Sequence, residues 1–189
     1  MLYHCFMRLY LLFFLLCSSL VFAEIIPENT VSYYAVDMSA NKNPLYALNA
    51  SSPIRENGRV FHAYTNWNVT WKIWWFDEGN LCRLTKTQVD FKSNILLPEF
   101  PLSFPLAEKT RLYLVALRRH EEGHVLYGRA ASEEIEHSFS LMPAAPTCQQ
   151  LLVVANQMGE RILSIYQQKE KDYDIQTKHG ITQGALLTP

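Results

Sequence analysis

Several motifs that would assign a function quickly are missing from this sequence. Its seven glycines in 189 residues form no Gly-rich phosphate loop, so no motif for phosphate binding is present. It has no Gly-x-Ser-x-Gly turn, which leaves a serine hydrolase without motif support. The formal net charge is -1 at pH 7, so there is no basic surplus of the kind that binds nucleic acid. We therefore expect no nucleic-acid partner.

Residues 1–23 have the pattern of a signal peptide. A short basic start is followed by an apolar run, and the last residues resemble those that precede a cleavage site. The run is shorter than the about 20 residues that a membrane span needs. We predict cleavage after Ala23, a single mature domain of residues 24–189, a periplasmic or secreted location, and no stable membrane span after cleavage. A retained anchor is the alternative.

Cysteine is scarce, and signal cleavage would leave only Cys82 and Cys148. In an oxidising compartment, two cysteines are most simply explained by one disulfide. This bond would tie the predicted sheet to the last predicted helix. The two residues lack the C-x-x-C spacing of many zinc sites, so metal binding by these cysteines is the weaker interpretation.

The segment His120-Glu121-Glu122-Gly123-His124 is the most informative motif. Histidines four residues apart lie on one face of a helix, about 40° apart in azimuth, so both can bind one ion. Glu121 follows the first histidine, where a zinc hydrolase keeps the carboxylate that takes a proton from the bound water. This is the H-E-x-x-H pattern of metal-dependent proteases. The simpler alternative is a charged helix with two incidental histidines.

A third ligand should complete the site, because catalytic zinc usually takes three protein ligands. Glu134 lies roughly 15 Å beyond His124 on a straight helix, which is too far to reach the same ion. Two candidates are left, Glu160 on the following helix and His179 in the tail. The spacing of the residues does not distinguish between them.

The hydrophobic pattern predicts an α+β fold, with an antiparallel sheet followed by two long antiparallel helices. The clearest strand alternates Trp67, Val69 and Trp71 with polar residues, which predicts one packed face and one face in solvent. The tail from Asp172 has no helical pattern. The predicted elements are strands at 31–37, 59–76 and 81–92, a short helix at 43–50, an irregular connection at 93–108 with a possible edge strand near 95–97, and helices at 111–139 and 148–171.

These motifs together resemble a known family. The chain is similar to the bacterial predicted secreted zinc-dependent proteases, catalogued as domain of unknown function 922. The resemblance implies a zincin-like arrangement with an active helix beside a sheet, and it favours His179 over Glu160 as third ligand. The matching features are the signal peptide, YTNWNVTW at 64–71, Cys82, Leu97-Pro98, the motif at 120–124 and YDIQTKHG at 173–180.

We therefore predict a zinc-dependent metallopeptidase that hydrolyses peptide bonds in a peptide or protein substrate. His120 and His124 bind zinc together with His179, or alternatively Glu160, and Glu121 is the general base. Tyr173 is a candidate for stabilising the oxyanion. The alternatives are a non-catalytic envelope protein with a structural metal, and a metal-free module that binds through its Trp-rich strand.

Overall fold

The computed structural model describes residues 24–189, with only the backbone described for residues 24–28. The predicted signal peptide lies outside these residues. The fold is α+β, as predicted. Its elements are strands β1 (Glu24–Ala35), β2 (Ile54–Glu56), β3 (Arg59–Phe61), β4 (Tyr64–Asp77) and β5 (Cys82–Glu99), helices α1 (Pro44–Ser51), α2 (Glu108–Ser140) and α3 (Cys148–Thr177), and a 3-10 turn at Ile181–Gln183.

The main sheet has the strand order β1-β5-β4 and is mixed, so the predicted antiparallel arrangement is correct for β4 and β5 and wrong for β1. β4 and β5 form the expected antiparallel hairpin, because a tight turn at residues 78–81 joins them. β1 lies parallel to β5 on its other side, with Val31 opposite Ile95. No short turn joins β1 to β5, so the local sequence pattern did not fix the direction of this strand.

β5 is longer than predicted and runs through most of the segment that we expected to be irregular. Residues 95–97 belong to this central strand and not to an edge strand. Pro98 is the next-to-last residue of β5, a strand end where the missing backbone N–H costs little.

β2 and β3 form a separate hairpin that precedes β4. Its turn is Asn57-Gly58, and both residues have positive φ angles of 50° and 76°. Asn-Gly is the sequence that favours this type of tight hairpin turn. The hairpin lines one wall of the main cleft, which is described below.

α2 and α3 pack antiparallel to each other and against one face of the sheet. Glycines in both helices allow tryptophans of β4 to approach closely. A Cβ atom added at Gly128 would lie 2.7 Å from the Trp67 ring, and one at Gly159 would lie 2.7 Å from the Trp71 ring. α2 continues without a break through Gly128, so this glycine serves helix–sheet packing.

α3 continues to Thr177, so the prediction that it ends near residue 171 is wrong. The chain then reverses through Lys178 and His179, whose φ angles of 50° and 51° are left-handed. The added turns carry Tyr173 and Asp174 to the middle of α2. This extension determines the candidate site.

Two apolar clusters flank the middle of α2. One contains Phe91, Ile135 and Phe139 from the part of the fold nearest the α2–α3 connection, and the other surrounds the start of α2. The disulfide Cys82–Cys148 is present, as predicted, and joins the start of β5 to the start of α3. Within residues 24–189, no helix combines the length and the apolar character that a membrane span requires.

Candidate metal centre

His120 and His124 lie in the middle of α2, and both face the protein interior. Their relative exposures are 3% and 7%. The apolar residues Tyr113 and Leu117 precede them on the same buried side of the helix. A buried imidazole must find polar partners, since burying an unpaired polar group is costly.

Asp174 of α3 supplies a partner to both histidines. Its Oδ1 atom lies 3.1 Å from Nε2 of His120 and 3.2 Å from Nε2 of His124. The two Nε2 atoms are 3.3 Å apart. Two imidazole nitrogens and one carboxylate oxygen thus form a compact triangle, and this group could hold a metal ion.

The other nitrogen of each imidazole has its own acceptor. His120 Nδ1 lies 3.0 Å from Oε1 of Gln183, and His124 Nδ1 lies 3.0 Å from Oε1 of Glu170. Because both partners accept hydrogen bonds, each Nδ1 carries the proton in the neutral ring. Each Nε2 then directs a lone pair toward Asp174, and three acceptors converge on one point. Such second partners orient metal-binding histidines in proteins.

The hydrogen bonds within this group shift the pKa values of its members. Burial lowers the pKa of His124, but the hydrogen bonds to Asp174 and Glu170 outweigh it and raise that pKa to about 9. Burial raises the pKa of Asp174, but hydrogen bonds from His120 and His124 hold it far below its usual range. Both shifts have the same cause, which is that the positive imidazolium and the negative carboxylate stabilise each other at close range.

Glu121 lies beside this group, in the wall of the same cleft. Its side chain is buried, and Thr65 of β4 donates a hydrogen bond to its Oε2 atom at 2.7 Å. The Thr65 hydroxyl is also 3.1 Å from the Glu121 carbonyl oxygen. Desolvation raises the pKa of Glu121, although the Thr65 hydrogen bond and the two histidines oppose this shift. The carboxyl group is therefore fixed in position and more basic than a surface glutamate.

Tyr173 explains why the motif contains a glycine. Its ring stacks on His120 with centroids 5.0 Å apart, and a Cβ atom at Gly123 would clash with the Tyr173 hydroxyl. That hydroxyl donates to the His120 carbonyl oxygen at 3.2 Å and also contacts Gln183. The hydroxyl thus holds the α2 backbone, and the oxyanion role suggested for Tyr173 stays a prediction.

The group opens into a cleft of about 870 Å³. Among residues 24–189, β4 pairs only with β5, so the second edge of β4 is unpaired. The first residues of β4, Tyr64 to Trp67, line the cleft. The opposite walls come from the β2–β3 hairpin and from α3, with Arg55 and Lys171 as the cationic side chains of the lining.

A comparison with protein-family profiles matches residues 31–180 to the family described as "Bacterial protein of unknown function (DUF922)". The chain belongs to this family. A search of curated proteins found no match, and a search of solved structures also found none. The range matched to DUF922 includes His120, His124 and Asp174, while Gln183 lies just beyond its end.

The two predicted third ligands occupy different places in this DUF922 member. His179 lines the cleft, but its Nδ1 atom lies 3.5 Å from Asp174 Oδ1 and its ring packs against Phe61. Glu160 is exposed on α3, about four helical turns before Asp174. The compact group is completed by Asp174 instead.

Sequence reasoning missed Asp174, Glu170, Gln183 and Thr65. A signal for the first two was present, since residues 170 and 174 share one face of a helix. This signal was not used because we expected α3 to end before residue 174.

Proposed function

We propose that this chain is an exported zinc-dependent metallopeptidase, with residues 24–189 forming one zincin-like peptidase domain in the periplasm or outside the cell. The supporting observation is the convergence of His120, His124 and Asp174 beside the buried carboxyl of Glu121. A charged helix with incidental histidines would not require three acceptors to meet at one point.

The donor set suits zinc. Imidazole nitrogen and carboxylate oxygen are ordinary zinc ligands, and bond lengths of about 2.0–2.1 Å give a tetrahedral edge of about 3.3 Å. The three separations between donor atoms are 3.1, 3.2 and 3.3 Å. In this proposal Asp174 takes the place that the sequence suggested for His179 or Glu160.

In this proposal, the ion and the protein side chains have separate chemical roles. A zinc ion bound there would polarise the peptide carbonyl and lower the pKa of its water to about 7. Glu121 would accept the proton of the attacking water and pass it to the leaving amine. Its raised pKa favours this exchange in both directions near neutral pH. Thr65 would hold the carboxyl group in position through its 2.7 Å hydrogen bond.

The unpaired edge of β4 supports a peptide substrate. An extended chain can add to such an edge through backbone hydrogen bonds. The edge lies in the wall of the cleft that contains Glu121 and His124. A peptide bound there would pass directly beside the candidate metal centre.

The test combines metal analysis with peptide cleavage. We expect purified wild-type protein to hold one zinc ion per chain and Asp174→Ala to lose it. Glu160→Ala removes a carboxylate from the same helix and should keep the metal, as should His179→Ala. Glu121→Gln should keep zinc and lose at least about 100-fold in turnover.

Different results would lead to different conclusions. Loss of zinc in His179→Ala but not in Asp174→Ala would restore the ligand set favoured by the sequence. Zinc binding without cleavage of any peptide in a broad library would favour the non-catalytic envelope protein. Absence of metal from protein purified without chelators would contradict both, and would favour a metal-free binding module.

A further inference from the structure

A second cavity lies beside the cleft, on the other side of Phe61 and His179. It has a volume of about 460 Å³ and is bounded by β3, the first half of α2 and the C-terminal segment. Phe61, Ala63 and His179 line both cavities. The rings of Phe61 and His179 meet edge to face with centroids 5.2 Å apart. The two rings therefore form a partition between the cleft and the second cavity.

The second cavity has a mainly apolar wall, and we call it the apolar pocket (Val60, Leu117, Ala185 and Leu187). Leu117 lies on α2 one turn before His120, so the pocket begins next to the candidate metal centre. Leu117, Ala185 and Leu187 are buried and belong to the apolar cluster at the start of α2. The pocket is thus a stable part of the fold with an open side.

The polar side-chain atoms of His62 and Tyr113 in the pocket wall already have partners. His62 Nδ1 lies 2.6 Å from the Tyr113 hydroxyl, and His62 Nε2 lies 2.9 Å from Oδ1 of Asn49. A polar group of a ligand would therefore form few hydrogen bonds with these residues. Arg59 and Lys178 also line the pocket and are exposed. Two cationic side chains disfavour a cationic group there, since like charges repel.

We propose that the apolar pocket binds a large apolar side chain of the substrate, at a residue that flanks the cleaved peptide bond. This inference rests on the proposed peptidase function. A peptide extended along β4 points alternate side chains to the same face. Ala63 lines both cavities, so a substrate side chain that passes it would enter the pocket beside the Phe61 and His179 rings. The substrate class is therefore a peptide with leucine, phenylalanine or a similar residue beside the scissile bond.

The test blocks the apolar pocket with a large side chain and measures which substrate peptides are cleaved best. Substrates are one peptide series with Phe, Leu, Ala or Lys at each position flanking the cleaved bond. Wild-type protein loaded with zinc should prefer Phe or Leu over Lys by at least about 10-fold in kcat/KM. Val60→Trp should lower kcat/KM at least about 10-fold for the Phe and Leu peptides and leave the Ala peptide nearly unchanged. Val31→Trp is the matched control on β1 and should keep the wild-type profile.

Binding measurements separate failure of this inference from failure of the proposed function. If no peptide is cleaved, calorimetric titration of the same peptides into the full chain still tests the pocket. Tighter binding of Phe and Leu peptides that Val60→Trp removes and Val31→Trp retains supports it. Cleavage or binding with no preference for apolar residues would overturn it, as would a preference that survives Val60→Trp.

Discussion

The two ends of the α2–α3 pair are held together by different interactions. At the end near the helix connection, Ile135 and Phe139 pack with Ala155, and the disulfide attaches α3 to the sheet. At the cleft end, the helices meet through His124, Glu170 and other polar or aromatic groups. One end is a hydrophobic core and the other is a network of hydrogen bonds.

This difference suggests that stability and chemistry are separated along one pair of helices. The apolar cluster and the disulfide at the core end include none of the candidate metal-binding residues. The polar end contains the candidate metal-binding residues, and mutual hydrogen bonds shift the pKa of His124 upward and that of Asp174 downward. Substitutions at the core end should therefore lower the free energy of unfolding. Substitutions at the cleft end should lower the affinity for metal.

Removal of the disulfide should give the largest effect on stability. Cys82→Ala combined with Cys148→Ala opens a loop with a sequence separation of 66 residues. The chain-entropy model gives a loss of about 4 kcal/mol in the free energy of unfolding. Urea unfolding of the metal-loaded protein would measure it, with wild type unfolded under the same conditions as the reference. Zinc affinity of the folded fraction should stay close to the wild-type value, and a parallel loss of affinity would contradict the separation.

The partners of the two imidazoles should control metal affinity with little effect on folding. We expect Glu170→Ala and Gln183→Ala each to weaken zinc binding by about 10–100-fold, because the freed histidine is no longer oriented. Competition with a coloured chelator would measure the affinity. Glu170→Gln keeps an oxygen acceptor for His124 and should recover most of the loss. A large fall in unfolding free energy without a change in affinity would contradict this assignment.

Substitution of one glycine at each end of the α2–α3 pair compares the two ends directly. Gly159→Ala forces a Cβ atom to within 2.7 Å of Trp71 and should cost about 1–3 kcal/mol of stability, reduced by the gain in helix propensity. Gly123→Ala displaces Tyr173 from His120, so zinc affinity should fall while the core end is unchanged. Thermal unfolding and chelator competition on both variants give the comparison. Equal effects of both variants on zinc affinity would show that the ends are not independent.

The smallest expected effect is on the pH dependence of the unfolding free energy. Burial lowers the pKa of His62, so the fold favours its neutral form. Below the unfolded value of about 6.5, the unfolded chain binds this proton more readily, and stability falls as the pH decreases. His62→Gln should therefore lose less unfolding free energy than wild type between pH 7.5 and 5.5. His137→Gln changes an exposed histidine and should follow wild type.

Some of this arrangement could be predicted from the sequence because the signals are local. The 120–124 spacing belongs to one helix, and the turn after Asp77 makes β4 and β5 a hairpin. The disulfide could be predicted because only Cys82 and Cys148 follow the predicted signal peptide. In each case the residues that interact are either close in the chain or few in number.

The missing parts depend on contacts between distant elements. The end of α3 was missed because its buried side changes from apolar residues to Tyr173, Asp174 and Thr177, so the apolar stripe stops before the helix does. Asp174, which completes the group with His120 and His124, was missed for the same reason. The direction of β1 depends on the long connection through residues 36–63 to β4, and no local sequence pattern predicts the path of that connection.

The reversal of the chain after α3 has a practical consequence for anyone preparing this protein. Gln183 reaches His120 only because Lys178 and His179 turn the backbone around. An expression clone trimmed to the family boundary at residue 180 would keep every candidate ligand and discard the side chain that orients one of them. Measurements on the shortened protein would then give a weaker metal affinity than that of the full chain.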